Sequence, residues 1–297
     1  MVIGLIGCAG VAYAADPPAG MALWLKADTG VIEAAGVVES WQDQSGNDND
    51  ANRAVGTMQL ATHTFNTGEL PVIHFNQDGD LKLIDPNDLF LPDLTIYAVL
   101  EQTADSSRRS YFSTYTNLVQ WGYGYHCDFD GSYTRVFTSA GTEATISDWG
   151  IGVPPLTAGY YYMTVAISDT AGSKSLYANG MLRGATTFPD MTFELISGCS
   201  IGALGNTGGF FFKGDIAEII VYPSVDSVQQ AAVESYLSEK YGIEKMLPKC
   251  GDWGYSSSDF NQDCYVNFQD FAVFAMNWMK CTLPDDAGGV DCVDLTP

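Results

Sequence analysis

The chain has 297 residues, 46% of them hydrophobic, which is enough for one large domain with a buried core and one small domain. It carries 36 acidic against 13 basic residues, a net charge of −23, and such a surface repels nucleic-acid phosphates and anionic lipid. No apolar run reaches the roughly 18 residues of a membrane-spanning helix. The charge suits divalent cations and neutral ligands such as sugars, although solubility outside the cell would explain it equally well.

The N-terminal residues resemble an export signal. A short apolar stretch ends in the A-x-A cleavage site Ala12-Tyr13-Ala14, which predicts a signal peptide over residues 1–14. No basic residue precedes the stretch, and Leu5-Ile6-Gly7-Cys8 offers a lipoprotein box as an alternative. We therefore expect a secreted or cell-surface protein.

The cysteines agree with export. Without Cys8 six remain, an even number that suits disulfides in an oxidising compartment. Four of them cluster in the last fifth of the chain, where a small module would need covalent support. Of their three possible pairings we favour Cys250–Cys264 with Cys281–Cys292, which leaves Cys127 and Cys199 for a bridge in the larger domain.

Residues 21 to about 224 have a β-type pattern. Short runs rich in Val, Ile, Tyr, Phe and Thr alternate with Gly, Asn, Asp and Ser turns, at the spacing of an antiparallel sandwich. Asn179-Gly180 predicts a type I′ hairpin turn. The clearest predicted strands are Ala22–Lys26, Pro71–Phe75, Leu94–Glu101, Tyr160–Ser168, Lys174–Ala178 and Asp215–Tyr222.

One helix is predicted from about Ser227 to Lys240, with Asp226 or Ser227 as its N-cap and Gly242 at its stop. An apolar stripe should pack this helix on the sandwich. Its members are Val228, Ala232, Val233, Tyr236 and Leu237. Residues 244–249 follow as a short linker.

Five ordered fragments resemble a known family. They are Leu23–Asp28, Trp41–Asn47, Leu70–Phe75, Leu176–Gly180 and Phe212–Tyr222. Together they are similar to bacterial laminin-G-like jelly rolls of the concanavalin A-like lectin/glucanase superfamily. The resemblance covers residues 21–243 and implies a mainly β fold, an antiparallel jelly-roll β-sandwich with one packed helix. It places the ligand-binding loops within residues 103–159.

Catalytic patterns are missing from the sequence. Glucanases on this fold carry E-x-D-x-x-E on one strand, which aims carboxylates into one cleft, and that pattern is absent. Asp215 and Glu218 stand three apart, so a regular strand would put them on opposite faces. His63, His74 and His126 are isolated single histidines. No catalytic residue is predicted, and Asp215 is interpreted as structural, with calcium binding as the alternative.

An aromatic middle region is the candidate ligand site. Trp121, Tyr123, Tyr125 and Trp149 are the predicted sugar contacts, because aromatic faces stack on the apolar faces of sugar rings. Alternating aromatics are equally typical of strand core. Trp24 and Trp41, beside strand patterns, are interpreted as core.

The C-terminal part carries a twelve-residue loop, Asp259 to Asp270, with the spacing of an EF-hand calcium site. Oxygen-bearing side chains stand at positions 1, 3, 5, 9 and 12, and position 7 would offer its backbone carbonyl. The predicted Ca²⁺ ligands are Asp259, Asn261, Asp263, Tyr265, Asn267 and Asp270.

This loop and the apolar helix pattern after it resemble a type I dockerin repeat. The resemblance implies a small α-helical, EF-hand-like module over residues 250–297, with a cohesin-like or cell-surface protein as partner. Two departures weaken that partner assignment. Cys264 occupies position 6, where glycine is usual, and only one repeat is present where dockerins carry two.

The leading hypothesis is a non-catalytic protein that binds a polysaccharide or glycan through its sandwich and attaches through its calcium module. A polysaccharide hydrolase or lyase on the same fold is the first rival, which two carboxylates converging in a cleft would favour. A purely structural surface protein is the second.

Overall fold

The computed structural model describes residues 16–83, 89, 91–103, 109–114, 124–130, 133–139, 159–187, 199–205, 209–246 and 257–277, of which 124–130 and 133–139 are described by backbone alone. The chain divides into two compact units, Met1–Met246 and Leu247–Pro297. The predicted signal peptide lies outside the described ranges and stays a prediction.

Sixteen strands and two helices are present in these ranges. The strands of the first half are β1 Leu23–Lys26, β2 Val31–Ala34, β3 Val37–Trp41, β4 Ala51–Val55, β5 Gln59–Phe65, β6 Gly68–Asn76, β7 Asp80–Leu83 and β8 Asp93–Gln102. The others are β9 Arg109–Ser113, β10 Gly124–Asp130, β11 Tyr133–Ser139, β12 Tyr161–Ser168, β13 Ser173–Ala178, β14 Met181–Thr187, β15 Ser200–Ile201 and β16 Lys213–Tyr222. The helices are α1 Ser227–Tyr241 and α2 Phe268–Asn277.

The strands form two sheets, and every strand pairing is antiparallel. Sheet A has the order β14-β13-β12-β8-β16-β6-β5, with β1 paired to the second half of β16. Sheet B has the order β11-β10-β9-β15-β7-β4-β3-β2. The predicted fold class, a mainly β antiparallel sandwich with a small helical part, is confirmed.

A hydrophobic core fills the space between the sheets. Ile73, Ile96 and Val165 face it from sheet A, while Trp41 and Phe112 belong to sheet B. Burial of aliphatic and aromatic side chains of this size contributes about 1.5–3 kcal/mol each, so this core is the main source of stability. Trp41 is buried there as predicted.

A second core lies on the other face of sheet A, under α1. Tyr97, Tyr162 and Tyr222 from the sheet pack with Tyr236 and Leu237 from the helix in one buried cluster. The central strands of sheet A are therefore buried on both faces, which explains why β16 has a nearly continuous apolar sequence instead of a strict alternation.

Helix α1 begins and ends where its capping residues predict. The Asp226 carboxylate accepts from the backbone N–H groups of Val228 and Gln229, and Gly242 ends the helix in the left-handed conformation. Of the predicted apolar stripe, Val233, Tyr236 and Leu237 are buried.

Two members of that stripe were predicted wrongly. Val228 is 79% exposed and Ala232 is exposed as well. The buried face is instead completed by Glu234 and Tyr241. Glu234 accepts hydrogen bonds from Thr164 and Gln230, so a polar residue fills a position that periodicity alone would assign to an apolar one.

The carboxylate of Glu218 on β16 is buried and joins α1 to sheet A. Its side chain is 0% exposed. It accepts from Trp24 Nε1 at 2.6 Å, Tyr236 Oη at 2.9 Å, Tyr241 Oη at 2.7 Å and Lys240 Nζ at 2.8 Å. A buried charge is tolerated only when it is paired and hydrogen-bonded, and these four donors meet that condition.

The side chains that donate to Glu218 have pKa values that differ from their usual ones. Burial, reinforced by the charge of Glu218, raises the pKa of Tyr236 and Tyr241. Burial alone would lower the pKa of Lys240, but the charges of Glu218 and Asp28 outweigh it, and the pKa is raised. The two phenols therefore stay neutral and Lys240 stays charged at neutral pH.

A bulge in β16 corrects the expectation for Asp215 and Glu218. The register of β16 against β8 shifts between Ile216 and Glu218, so Ala217 is an extra residue. Ala217 belongs to the cluster under α1, Glu218 bonds to donors of that same cluster, and Asp215 bonds to Tyr160, which packs against it. Asp215 and Glu218 consequently lie on one face of the sheet.

The predicted hairpin turn is confirmed. Asn179 and Gly180 have φ angles of 48° and 73°, the pair of positive values that a type I′ turn requires. They connect β13 to β14, and the Asn179 side-chain oxygen accepts from the backbone N–H of Tyr162 at 2.9 Å, which ties the turn to β12.

The predicted Cys127–Cys199 bridge is wrong. Cys199 carries a thiol and is 0% exposed within the inter-sheet core. A thiol of this kind packs as a small apolar side chain. The two pairings favoured for the C-terminal cysteines stay predictions.

The described part of the second unit is a loop followed by α2. Its large apolar side chains are buried only in part, as expected for a small module. Phe260, Phe268 and Phe271 are 48%, 88% and 63% exposed. None of the helices in the described ranges is long and apolar enough to cross a membrane.

Replacing Glu218 with alanine should lower the free energy of unfolding by about 3–5 kcal/mol, because Lys240 and three further donors would lose their buried acceptor. Urea denaturation followed by tryptophan fluorescence measures the change. The control is Glu239→Ala, an exposed position on α1, with an expected change within about 0.5 kcal/mol. Equal losses in the two variants would contradict the role given to Glu218.

Candidate functional site

The first candidate site is the loop of the second unit, where the structure brings acidic side chains together. Carboxylate oxygens of Asp259, Asp263 and Asp270 all lie within 4.8 Å of one another. Asp259 and Asp270 are only 5% and 2% exposed. Residues 257–277 contain no Lys, Arg or His, so that part of the unit offers these carboxylates no basic side chain.

Backbone N–H groups hold the two buried carboxylates in place. Asp259 accepts from the N–H groups of Asp263 and Cys264, at 3.1 and 2.8 Å. Asp270 accepts from those of Asn267 and Asn261, at 2.8 and 3.2 Å. The bond from Asn267 is the main cause that lowers the pKa of Asp270, so this carboxylate stays ionised at neutral pH.

The other predicted ligands have mixed placements. Asn267 is the residue just before α2. Its side-chain oxygen accepts a hydrogen bond from the backbone N–H of Gln269 at 2.7 Å, so Asn267 is the N-cap of α2. Asn261 bonds Asp263 through its amide nitrogen at 2.9 Å. The backbone oxygen of Tyr265 faces the Asn267 amide at 3.5 Å.

Cys264 adopts the conformation that its position demands. Its φ is 67°, in the left-handed region that glycine normally occupies at position 6 of such a loop. The strain for a residue with a Cβ is about 1–2 kcal/mol. Three converging carboxylates and a tight turn are the kind of oxygen-rich arrangement that could hold a hard divalent cation.

The second candidate site is a cleft of about 420 Å³ in the first unit, beside the end of α1. Its volume falls in the range of small-ligand sites. Its lining comes from β5 and the turn after it, the end of β8, the start of β12, and the chain that follows α1. The lining residues include His63, Phe65, Glu101, Tyr160, Tyr241 and Glu244.

Aromatic rings form one wall of the cleft. The ring centroids of His63 and Tyr160 are 4.1 Å apart, Phe65 lies 4.7 Å from both, and Tyr241 lies 5.0 Å from Phe65. Phe65 and Tyr241 are buried, whereas His63 and Tyr160 are half-buried. Phe65 and Tyr241 therefore support the wall from below, and the His63 and Tyr160 rings are the part of it that a ligand could contact.

Asp215 fixes the orientation of Tyr160. The Tyr160 hydroxyl donates to Asp215 Oδ2 at 2.7 Å, and His74 Nδ1 lies 2.6 Å from Asp215 Oδ1. Burial and the bond to Asp215 raise the pKa of Tyr160, so the hydroxyl remains a donor. The structural interpretation of Asp215 agrees with these contacts: its partners are His74 on the neighbouring strand β6 and Tyr160, the residue just before β12.

Glycine permits the close strand pairing at this point. Gly214 has a φ of 143°, and a Cβ there would lie 2.0 Å from the carbonyl oxygen of Glu101. The pairing of β16 with β8 sets Asp215 directly opposite Glu101. Two carboxylates thus stand side by side at the cleft, although both oxygens of Asp215 already have partners.

The predicted sugar contacts are not tested by this geometry. Trp121, Tyr123 and Trp149 lie outside the described residues. Tyr125 lies on β10, where its backbone pairs with Thr138 on β11. All four stay predictions.

The cleft was missed because its residues are scattered in sequence. His63 and His74 are isolated histidines in the sequence, and Tyr160 is one of nine aromatics of the middle region that the sequence offers as possible sugar contacts without separating them from strand core. The register of β5, β6 and β16 brings the histidines to Asp215, and the pairing of β8 with β12 and β16 brings Tyr160 there. A hint was available in the run of three tyrosines at 160–162, at the start of a strand pattern.

Comparison with known proteins gives structural likeness alone. No protein-family model matches the chain, and no curated protein matches its sequence. Domain 4 of the extracellular arabinanase AbnA from Geobacillus stearothermophilus, solved with arabinotriose, is 15% identical with a TM-score of 0.53, covering 73% of this chain and 98% of that one.

Two further solved structures share the fold. A structure of botulinum neurotoxin type C is 11% identical with a TM-score of 0.54, and the match covers 75% of this chain but about half, 52%, of the toxin chain. The Trypanosoma rangeli sialidase in complex with sialic acid is 13% identical with a TM-score of 0.52, over 75% of this chain and 33% of the sialidase. These likenesses show that the first unit shares a β-sandwich fold with parts of these proteins.

Replacing Gly214 with alanine should destabilise the first unit by about 1–3 kcal/mol more than Gly68→Ala does. Both glycines have large positive φ values, 143° and 131°, so both variants carry the backbone strain. Only Gly214 has a backbone atom in the way, because nothing lies within 4 Å of a Cβ at Gly68. Thermal denaturation compares the two, and equal losses would mean that β16 and β8 have room to separate there.

Proposed function

We propose that this protein is a secreted or cell-surface glycan-binding protein without catalytic activity, whose C-terminal unit binds one Ca²⁺ and serves as an attachment module. The single observation that carries the glycan-binding part is the aromatic-walled cleft on a lectin-like sandwich. Sugar rings have apolar faces that stack on aromatic side chains, and their hydroxyls need acceptors such as the nearby carboxylates.

The structural relatives support this proposal by what their descriptions say. The arabinanase domain was solved with arabinotriose, the sialidase with sialic acid, and the neurotoxin is described as depending on two ganglioside molecules. Each statement applies to that protein, and at 11–15% identity only the fold is shared. For this chain they make a glycan the first ligand to try.

The convergence of Asp259, Asp263 and Asp270 supports calcium binding. A divalent cation would relieve the repulsion among three carboxylates that have no basic side chain in residues 257–277. We infer that Asn261 and Tyr265 complete the oxygen set and that Asn267 contributes through water, since its side-chain oxygen already caps α2. A cohesin-like or cell-surface partner for this module is part of the proposal.

A polysaccharide hydrolase is the second candidate, because Glu101 and Asp215 stand opposite each other on paired strands. Glycosidases use two carboxyl groups with separate roles. Both oxygens of Asp215 are engaged by His74 and Tyr160, which leaves only Glu101 of this pair for chemistry. We therefore favour binding over hydrolysis.

The glycan proposal is tested with the full chain on an array of immobilised neutral and acidic polysaccharides. We expect saturable binding to at least one of them, with no new reducing ends released on prolonged incubation. Release of reducing sugar would favour the hydrolase instead. Failure to bind any polysaccharide on the array would contradict the proposed function.

The calcium proposal is tested by calorimetric titration of the full, chelator-treated chain. We expect about one Ca²⁺ per chain, and loss of that binding in the double variant Asp259→Ala, Asp270→Ala. The matched control, Glu33→Ala with Glu69→Ala, removes two charges from exposed positions of the sandwich and should bind as the wild type does. If the double variant Asp259→Ala, Asp270→Ala still bound calcium, the calcium site would lie elsewhere in the chain.

A further inference from the structure

The cleft beside α1 has a rigid aromatic wall. His63 and Tyr160 present partly exposed rings 4.1 Å apart, and Phe65 and Tyr241 pack beneath them. The Tyr160 hydroxyl is bound to Asp215 at 2.7 Å. The His63 and Tyr160 rings are tilted by 42° to each other, so the wall is angled and each ring offers its own exposed surface. A ring held at its far end loses little freedom when a ligand stacks on it, so the Tyr160 ring is preorganised for the apolar face of a ligand.

The end of the cleft is closed by contacts between the β5–β6 turn and the end of α1. The Asn66 amide donates to the Gly242 carbonyl at 2.7 Å, and the Thr67 hydroxyl donates to the Lys240 carbonyl at 2.7 Å. Gly242 ends the helix in the left-handed conformation, so the chain turns there and continues through Ile243 and Glu244 along the cleft. These contacts therefore fix the backbone of both segments at this end of the cleft.

The charge of the cleft selects among sugars. Glu101 and Glu244 line the cleft. Among the described residues that line it, none is Lys or Arg. Carboxylates are strong acceptors for sugar hydroxyls. They repel an acidic sugar, because bringing like charges together in a partly desolvated cleft is unfavourable.

We propose that this cleft binds an uncharged sugar residue of a polysaccharide, with the apolar face of the ring on Tyr160 and His63 and its hydroxyls donating to Glu101 and Glu244. This inference rests on the proposed function and gives it a site and a sugar class. Asp215 and His74 act as positioning residues, because they contact Tyr160 or its partner and not the ligand.

The experiment uses the full chain and three uncharged trisaccharides, arabinotriose, cellotriose and mannotriose, with sialyllactose as the acidic counterpart. Calorimetry measures their affinities for the wild type and for His63→Ala, Tyr160→Ala, Tyr160→Phe and Glu101→Gln. Glu33→Gln, an exposed carboxylate on sheet B, is the matched control. Thermal denaturation of each variant checks that it folds.

We expect at least one uncharged trisaccharide to bind the wild type more tightly than sialyllactose does. His63→Ala and Glu101→Gln should each weaken that binding about tenfold, as loss of one stacking or charge-assisted contact does. Tyr160→Phe should bind more tightly than Tyr160→Ala, because it keeps the ring and loses only the hydroxyl bond that orients it. Glu33→Gln should bind as the wild type does.

Three results overturn the inference in different ways. If the wild type binds an uncharged trisaccharide and the folded cleft variants bind it equally well, the site is elsewhere and the proposed function stands. If sialyllactose binds more tightly than every uncharged trisaccharide, the sugar class is wrong. A wild type that binds none of the four sugars and no polysaccharide on the array overturns both this inference and the proposed function.

Discussion

Sheet A and helix α1 are joined by one buried carboxylate. Glu218 has a fully buried side chain, and it accepts hydrogen bonds from Trp24 on β1 and from Tyr236, Lys240 and Tyr241 on α1. An ionised carboxylate in this position is strongly unfavourable unless all these donors are present, so the helix has one position on the sheet that satisfies it. The apolar cluster between α1 and sheet A supplies stability, whereas Glu218 supplies the specificity of the placement.

The cleft depends on that placement. Because the bulge at Ala217 puts Asp215 on the same face as Glu218, Asp215 reaches the Tyr160 hydroxyl and holds its ring in the wall. Because α1 is fixed, its last residues and Gly242 lie against the β5–β6 turn and close the end of the cleft. A strand irregularity and a buried charge, neither of which contacts a ligand, thus determine the shape of the surface that we propose binds a sugar.

The features that the sequence predicted correctly are those that depend on residues close together in the chain. The Asn179-Gly180 turn, the capping residues of α1, burial of Trp41 and the left-handed Cys264 all follow from residue type and neighbours within a few positions. The carboxylate cluster of Asp259, Asp263 and Asp270 comes from one twelve-residue segment, so it too was visible in the sequence. The cleft was not, because it joins residues 63, 101, 160 and 244 through strand register. The bulge in β16 and the burial of Glu234 have no local signature either.

Sugar binding in the cleft beside α1 requires that a sugar ring stack on Tyr160. The most direct measurement of this contact is an isotope-edited NOE experiment on the full chain with the tightest-binding uncharged trisaccharide, with the aromatic protons of tyrosine and histidine labelled. We expect intermolecular NOEs between the ring protons of one sugar residue and the Tyr160 and His63 rings, and we expect the NOEs of each ring to disappear in Tyr160→Ala and His63→Ala respectively. Sugar NOEs confined to other aromatic residues would contradict it.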